Sequence, residues 1–189
     1  MLTPERLEIE GAVLVRTRAD HAAALVDVLL ASLQHLRPWM PWATEANATM
    51  AVQHERLVAT ELSWTNGTDY DFLIVAPAHA AVSPESIAGG MSLMTRQGPG
   101  VLEIGYWLSH TQVGNGLATK AARALTDLAL TMPGIARCEI HCDAGNERSA
   151  AIPQRLGYHL DRVGDREPVT SGDTGRELVW TMHAHGSGA

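Results

Sequence analysis

Gly114-Asn115-Gly116 sits where a strand-like run, Val101–Leu108, gives way to an Ala/Leu-rich amphipathic segment opening at Leu117-Ala118. A glycine turn at the start of a helix aims several backbone N–H groups at one spot. Such a spot favours an anion, above all a phosphate or pyrophosphate. Glu103 lies in the strand leading to the turn, and His141 and Asp143 lie in a later strand. Each of the three can take a proton from a reacting group. His141 alternates with Cys138, Ile140 and Cys142, so it faces away from them, toward a cleft, the surface or a hydrogen-bonded core site. Blander roles fit the same residues. The glycines suit any tight helix entry, Glu103 suits an ion pair, and Asn146 suits a helix cap.

These groups need elements to position them. Leu7–Arg16 alternates apolar and polar residues as one strand does. Asp20 caps a helix that runs to about Leu36, where Arg37-Pro38 ends it. Pro38-Trp39-Met40-Pro41-Trp42 is an irregular, aromatic-rich link. A second helix spans Thr49–Leu62 and stops near Asn66-Gly67. Strands follow at Tyr70–Ala76, Ser86–Met94 and Val101–Leu108. Leu117–Leu130 is the clearest helix, with Leu117, Ala121, Leu125 and Leu128 on one face and Pro133-Gly134 after it. Arg137–Cys142 is a strand, Asn146–Leu156 a short helix, and Tyr158–Val163 with Glu177–His183 a closing hairpin. The order β-α-α-β-β-β-α-β-α-β-β describes one mixed α/β domain over residues 1–183. It has antiparallel strands early, a β-α-β unit in the middle and a frayed tail at 184–189.

Bulk properties narrow the class. A chain of 189 residues with 46% hydrophobic and 19% charged residues supports one sizeable core. No apolar run approaches the roughly 20 residues of a membrane span, and the polar start MLTPERLEIE has no signal-peptide character, which together read as cytoplasmic. A net charge of −7 argues against nucleic acid and suits a cationic amine partner, or solubility alone. Cys138 and Cys142, on one strand, lie about 13 Å apart, too far for a disulfide. No residue set is put forward as a metal site.

Three ligand classes use a strand, a glycine turn and a helix. A P-loop needs a lysine directly after its last glycine, and Leu117 follows Gly116. A dinucleotide fold needs G-x-G-x-x-G; Gly114 and Gly116 match, Thr119 does not, and too few β-α units remain after it. The third class is the GNAT acetyltransferase superfamily, and the chain resembles its RimJ/RimL-like branch of ribosomal-protein N-terminal acetyltransferases. The resemblance runs from Leu7 to about His183. It is carried by Leu36-Arg37-Pro38-Trp39-Met40-Pro41-Trp42, Glu103-Ile104-Gly105-Tyr106-Trp107-Leu108, Gly114-Asn115-Gly116-Leu117-Ala118 and Asn146-Glu147-Arg148-Ser149, with Leu156-Gly157-Tyr158 closing the last.

That resemblance implies a single-domain GNAT fold. Its central sheet is mixed, mostly antiparallel and flanked by helices, and a central strand pair splays after the Glu-x-x-Tyr-Trp segment. It implies acetyl-CoA as co-substrate, with the pyrophosphate held at Val113, Gly114, Asn115, Gly116, Leu117 and Ala118. Val113 departs from the family's polar first residue. The pantetheine arm runs beside Trp107, Leu108 and Ser109, with a backbone N–H near Leu108 on the thioester carbonyl. Asn146 contacts the cofactor, Ser149 is the acid for the leaving thiolate, and Glu103 is the water-relayed base, with His141 and Asp143 as alternatives. Trp39 and Trp42 help wall the acceptor cleft. The acceptor is a primary amine on a protein N-terminus or a small molecule, the acyl group acetyl or another such as succinyl, and a homodimer is compatible with it. Two other functions stay open: a CoA-binding sensor without turnover, and a dinucleotide-binding module.

Overall fold

The computed structural model describes residues 3–75 and 86–184. Its elements are β1 (Arg6–Ile9), β2 (Ala12–Arg16), α1 (Ala22–Leu36), α2 (Met50–Asn66), β3 (Asp69–Val75), β4 (Ile87–Met94), β5 (Val101–Leu108), α3 (Leu117–Leu130), β6 (Arg137–Asp143), α4 (Glu147–Leu156), β7 (His159–Asp165) and β8 (Arg176–His183). The strands form one sheet in the order β1-β2-β3-β4-β5-β6-β8-β7. Neighbours are antiparallel except β5 and β6, which are parallel and joined through α3. A single parallel pair is the reverse of a doubly wound sheet, so the architecture does not fit a dinucleotide fold.

Two early boundaries differ from the sequence reading. Leu7–Arg16 is a hairpin, β1 and β2, closed by a two-residue turn at Glu10-Gly11. Val13 and Leu14 are both buried, so alternation on β2 is blurred by burial on both faces. Asp20 is not a helix cap: Ala19–His21 form a separate 3-10 turn and α1 opens only at Ala22. Thr49 does cap α2, its hydroxyl accepting from Val52 N–H, and that helix runs to Asn66. Ala76 and the tail from residue 185 lie outside the described residues.

One sheet face is fully roofed. α3 and α4 pack on it through Leu125, Ala121 and Ile152, against Phe72, Ile74, Leu93, Leu102, Ile104 and Ile140. Each such Leu, Ile or Phe side chain removed from water contributes about 1.5–3 kcal/mol. The other face is roofed by α1 and α2, whose Leu25, Leu29 and Leu57 cluster with Leu73, Val75 and Ile87 of β3 and β4. On the same face β5, β6 and β8 carry Glu103, Glu139, His141, Asp143 and Glu177 instead, and this charged floor is where the chemistry concentrates. Cys138 and Cys142 are free, buried thiols, as their spacing predicts. Burial pushes them up to about 12 and about 11, so both are unreactive at neutral pH.

Candidate active site

β5 has one closed edge and one open edge. Toward β4 it pairs from Glu103↔Met94 to Leu108↔Gly89, and Ser109 N–H continues the ladder onto Ala88 C=O at 2.8 Å. Toward β6 it pairs only from Val101↔Arg137 to Glu103↔Glu139. The splay thus opens at Glu103, earlier than the Trp107 end expected from sequence. β5 follows the twist of β4 while β6 follows β8, with which it pairs from Arg137 to Asp143, so the two strands diverge. Backbone groups alternate sides along a strand. With Ser109 N–H on β4, the N–H groups of Tyr106 and Leu108 turn into the gap.

The closed edge is built for close approach. A Cβ on Gly89 would sit 2.2 Å from the Trp107 carbonyl oxygen, and one on Gly90 would sit 2.5 Å from the Trp107 indole nitrogen. Glycine at 90 leaves the space the Trp107 ring occupies, and glycine at 89 lets the β4 and β5 backbones close up beside it. Trp42, 37% exposed, meets Trp107 edge-on at 6.1 Å between centroids.

Two cavities meet at this strand. One, of about 410 Å³, is lined by Leu108, Val113, Ala118, Asn146 and Ser149. The other, of about 700 Å³, lies over the charged floor and includes Glu103, His141, Asp143 and Trp42. Trp39, Met40, Tyr106, Trp107, Asn146 and Ser149 line both. A ligand arm entering from one side can therefore reach a second ligand entering from the other.

The glycine turn stands at the start of α3, on the rim of the smaller cavity's side. Gly114 and Gly116 adopt φ of 87° and 70°, and no atom lies within 4 Å of where a Cβ would be on either. Gly116 is the N-cap of α3 and no side chain caps it. The first N–H groups of a 14-residue helix are thus left for an outside acceptor, which fits a pyrophosphate. Gly114, Asn115 and Gly116 are exposed. Leu117 turns into the core, 8% exposed, and its side chain does not reach the cavity. Ser109 is also buried, its hydroxyl 3.3 Å from that of Thr111, so its side chain does not flank the cavity either.

Asn146 caps α4, its side-chain oxygen accepting from Ser149 N–H at 3.1 Å, and still lines both cavities. Ser149 Oγ lies 3.0 Å from the Tyr106 hydroxyl. Tyr158, by contrast, is locked in the core, 2.6 Å from Thr126 Oγ1.

The charged floor falls into clamps. Arg96 grips Glu103 with two nitrogens, one at 2.8 Å, and Gln97 adds a third donor. Burial raises the Glu103 pKa, but these donors outweigh it and hold the carboxyl below its ordinary range. Glu139, 1% exposed, is likewise raised by burial and lowered further by bonds from His141 and Arg137, so it stays a carboxylate. A carboxylate only accepts, so His141 Nε2 carries the proton on its 2.7 Å contact with Glu139. Nδ1 then faces Glu177 at 3.7 Å. Asp143 is taken up by Gly145 N–H, Thr174 N–H and the Thr174 hydroxyl, with Arg166 at 3.5 Å.

Sequence reasoning missed Arg96, Gln97, Glu139 and Tyr106. It also missed the 166–175 loop, where Arg166 bonds Asp173 at 2.6 Å and Gly172 N–H bonds Pro38 C=O at 3.0 Å beside Trp39. The signal on offer was the alternation of β6, which puts Arg137, Glu139, His141 and Asp143 on one face and Cys138, Ile140 and Cys142 on the other.

Comparison with known proteins gives the same outline. The family model for the acetyltransferase (GNAT) domain matches residues 12–159. YdaF of Bacillus subtilis (strain 168), provisionally assigned as a ribosomal N-acetyltransferase, is 39% identical over 56 residues, 30% of this chain and 31% of its own length. The chain spans about a third of the length of the curated relatives it matches, 31% of YdaF and 37% of YkkB from the same organism. Among solved structures, RimL, a ribosomal L7/L12 alpha-N-protein acetyltransferase in complex with coenzyme A, superposes with a TM-score of 0.79 at 20% identity, over 93% of this chain and 98% of that one. MccE, a microcin C7 self-immunity acetyltransferase in complex with acetyl-CoA and AMP, superposes with a TM-score of 0.82 at 20% identity, over 96% and 98%. At that identity the likeness carries the fold.

Proposed function

The chain belongs to the acetyltransferase (GNAT) family, and from that premise we propose that it moves an acetyl group from acetyl-CoA to a primary amine by direct transfer. The observation that carries this reading is the open edge of β5, where the Tyr106 and Leu108 N–H groups face a gap that joins two cavities. A thioester lying in the gap would set its carbonyl oxygen against those donors, which stabilise the negative charge developing there. The uncapped start of α3, at Gly114–Ala118, would hold the pyrophosphate, with Val113, Leu108 and Trp107 along the arm.

The amine enters from the larger cavity, between Trp39, Trp42 and the charged floor. It must be neutral to attack. An α-amine has an ordinary pKa of about 7.7–8.0, so a modest base suffices. Glu103 is a poor direct base, because Arg96 and Gln97 occupy it and depress it. We assign proton removal to His141. Glu139 fixes its tautomer, the residue lines the larger cavity, and it lies two residues, ~6.6 Å, beyond the point where β5 and β6 part. Glu103 then serves as a fixed anion that favours the approaching ammonium. Ser149 donates a hydrogen bond to the departing thiolate. The acceptor class is an amine of a protein N-terminus or of a small molecule. RimL and YdaF speak for the former, and the AMP in the MccE complex for the latter.

The test is thiol release from acetyl-CoA in the presence of short peptides with free N-termini and of small amines. Release that depends on an amine supports transfer. Binding of acetyl-CoA with no release for any amine would leave a sensor module in its place.

A further inference from the structure

Pro153 lies inside α4 and is buried. An α-helix hands the C=O of residue 149 to the N–H of residue 153, and proline has no N–H. The Ser149 carbonyl is thereby left without its helical partner at the point where the cavities meet. Tyr106 supplies the replacement: its hydroxyl is 3.1 Å from Ser149 C=O and 3.0 Å from Ser149 Oγ. The phenol has one proton for two acceptors. Burial raises the Tyr106 pKa, so that proton stays on. The neighbouring Cys142 thiol also stays protonated, so no charge competes on that side.

We infer that Tyr106 is a positioning residue for the leaving group, acting through Ser149; the inference rests on the acetyl-transfer reading above. At rest, Tyr106 O–H donates to the Ser149 carbonyl and Ser149 O–H donates to the phenol oxygen. In transfer, the amine nitrogen bonds to the acetyl carbon and the C–S bond breaks with its electron pair on sulfur. Ser149 O–H then turns to the thiolate, and Tyr106 O–H turns from the carbonyl to Ser149 Oγ. Both protons keep their owners; only the hydrogen bonds change. The two-donor chain strengthens the bond to sulfur because each hydrogen bond polarises the next. Pro153 makes the resting position available, so a proline in an awkward place acquires a use.

The test uses Tyr106→Phe in two backgrounds and with two acyl donors. With acetyl-CoA, kcat falls roughly tenfold, the scale of one lost bond to a charged group, while the KM for acetyl-CoA stays within about twofold. With the acetyl selenoester of the same cofactor, whose selenolate leaves without help, the loss shrinks to less than about threefold. In Pro153→Ala the restored N–H takes the Ser149 carbonyl. Adding Tyr106→Phe there should cost no melting temperature but the same tenfold in kcat. Equal losses with both donors, or recovery of kcat in the Pro153→Ala background, would overturn the inference and make Tyr106 a structural strut. No turnover by the unaltered protein with any amine would instead sink the acetyl-transfer reading itself.

Discussion

The two edges of β5 are built from the same eight residues and do opposite things. Against β4 the strand is bonded from Glu103 to Leu108, with Gly89 close against the Trp107 carbonyl and Gly90 leaving room for the Trp107 ring. Against β6 it is bonded only as far as Glu103, and its later N–H groups face a gap. The closed edge fixes where the donors stand; the open edge leaves them free. A site that must hold charge at one moment of a reaction needs both properties, since donors that move lose their advantage to water.

The harshest way to break the contrast is at the closed edge. Gly89→Ala puts a Cβ within 2.2 Å of the Trp107 carbonyl, a backbone atom that has little freedom to give way. A loss of about 3 kcal/mol in urea unfolding is expected, from overpacking and the broken ladder together. A change of no more than about 0.5 kcal/mol, the size of an ordinary surface substitution's effect, would mean that the closed edge tolerates a Cβ there.

On the open side, His141→Asn should lower kcat about 100-fold without raising the KM for acetyl-CoA. Glu103→Gln should cost less in kcat, because it leaves Arg96 without a charge partner but removes no base. If the order of the two variants is reversed, proton removal belongs to Glu103. A gentler change is Trp42→Ala, which removes the edge-on contact with Trp107. It should raise the KM for the amine by a factor matching about 1 kcal/mol and leave acetyl-CoA binding alone.

The mildest perturbation is pH. Glu103, Glu139 and Asp143 are all held below their ordinary values of 4.5, 4.5 and 3.8. Each binds fewer protons folded than unfolded, so its stabilisation is present above those values and lost as pH falls through the lowered ones. Melting temperature should ease as pH falls below about 6.5, because burial holds His21 and His35 below their ordinary value, and drop more steeply below about pH 4.5. A Gln at position 103 should flatten part of that drop.

Much of this contrast could be read from the sequence, and for physical reasons. The glycine turn, the α3 face of Leu117, Ala121, Leu125 and Leu128, and the Asn146 cap are local, so their signals sit within a few residues. The β1–β2 turn was hidden because β2 is buried on both faces and alternation carries no phase there. The Arg96 clamp on Glu103 depends on how a hairpin twists, and the Tyr106–Ser149 bond joins residues 43 apart. Pro153 stands inside a helical segment, which by itself does not say what it is for. What it was for became plain only once Tyr106 stood opposite the carbonyl it frees.

The central claim is that the open edge of β5 receives the thioester. Amide hydrogen exchange resolved at Tyr106, Trp107, Leu108 and Ser109, with and without coenzyme A, tests it directly. The account predicts that Trp107 and Ser109 are protected throughout, while Tyr106 and Leu108 exchange fast alone and slow by at least about tenfold with the ligand. Slow exchange at Leu108 without ligand, or no change on binding, would contradict it.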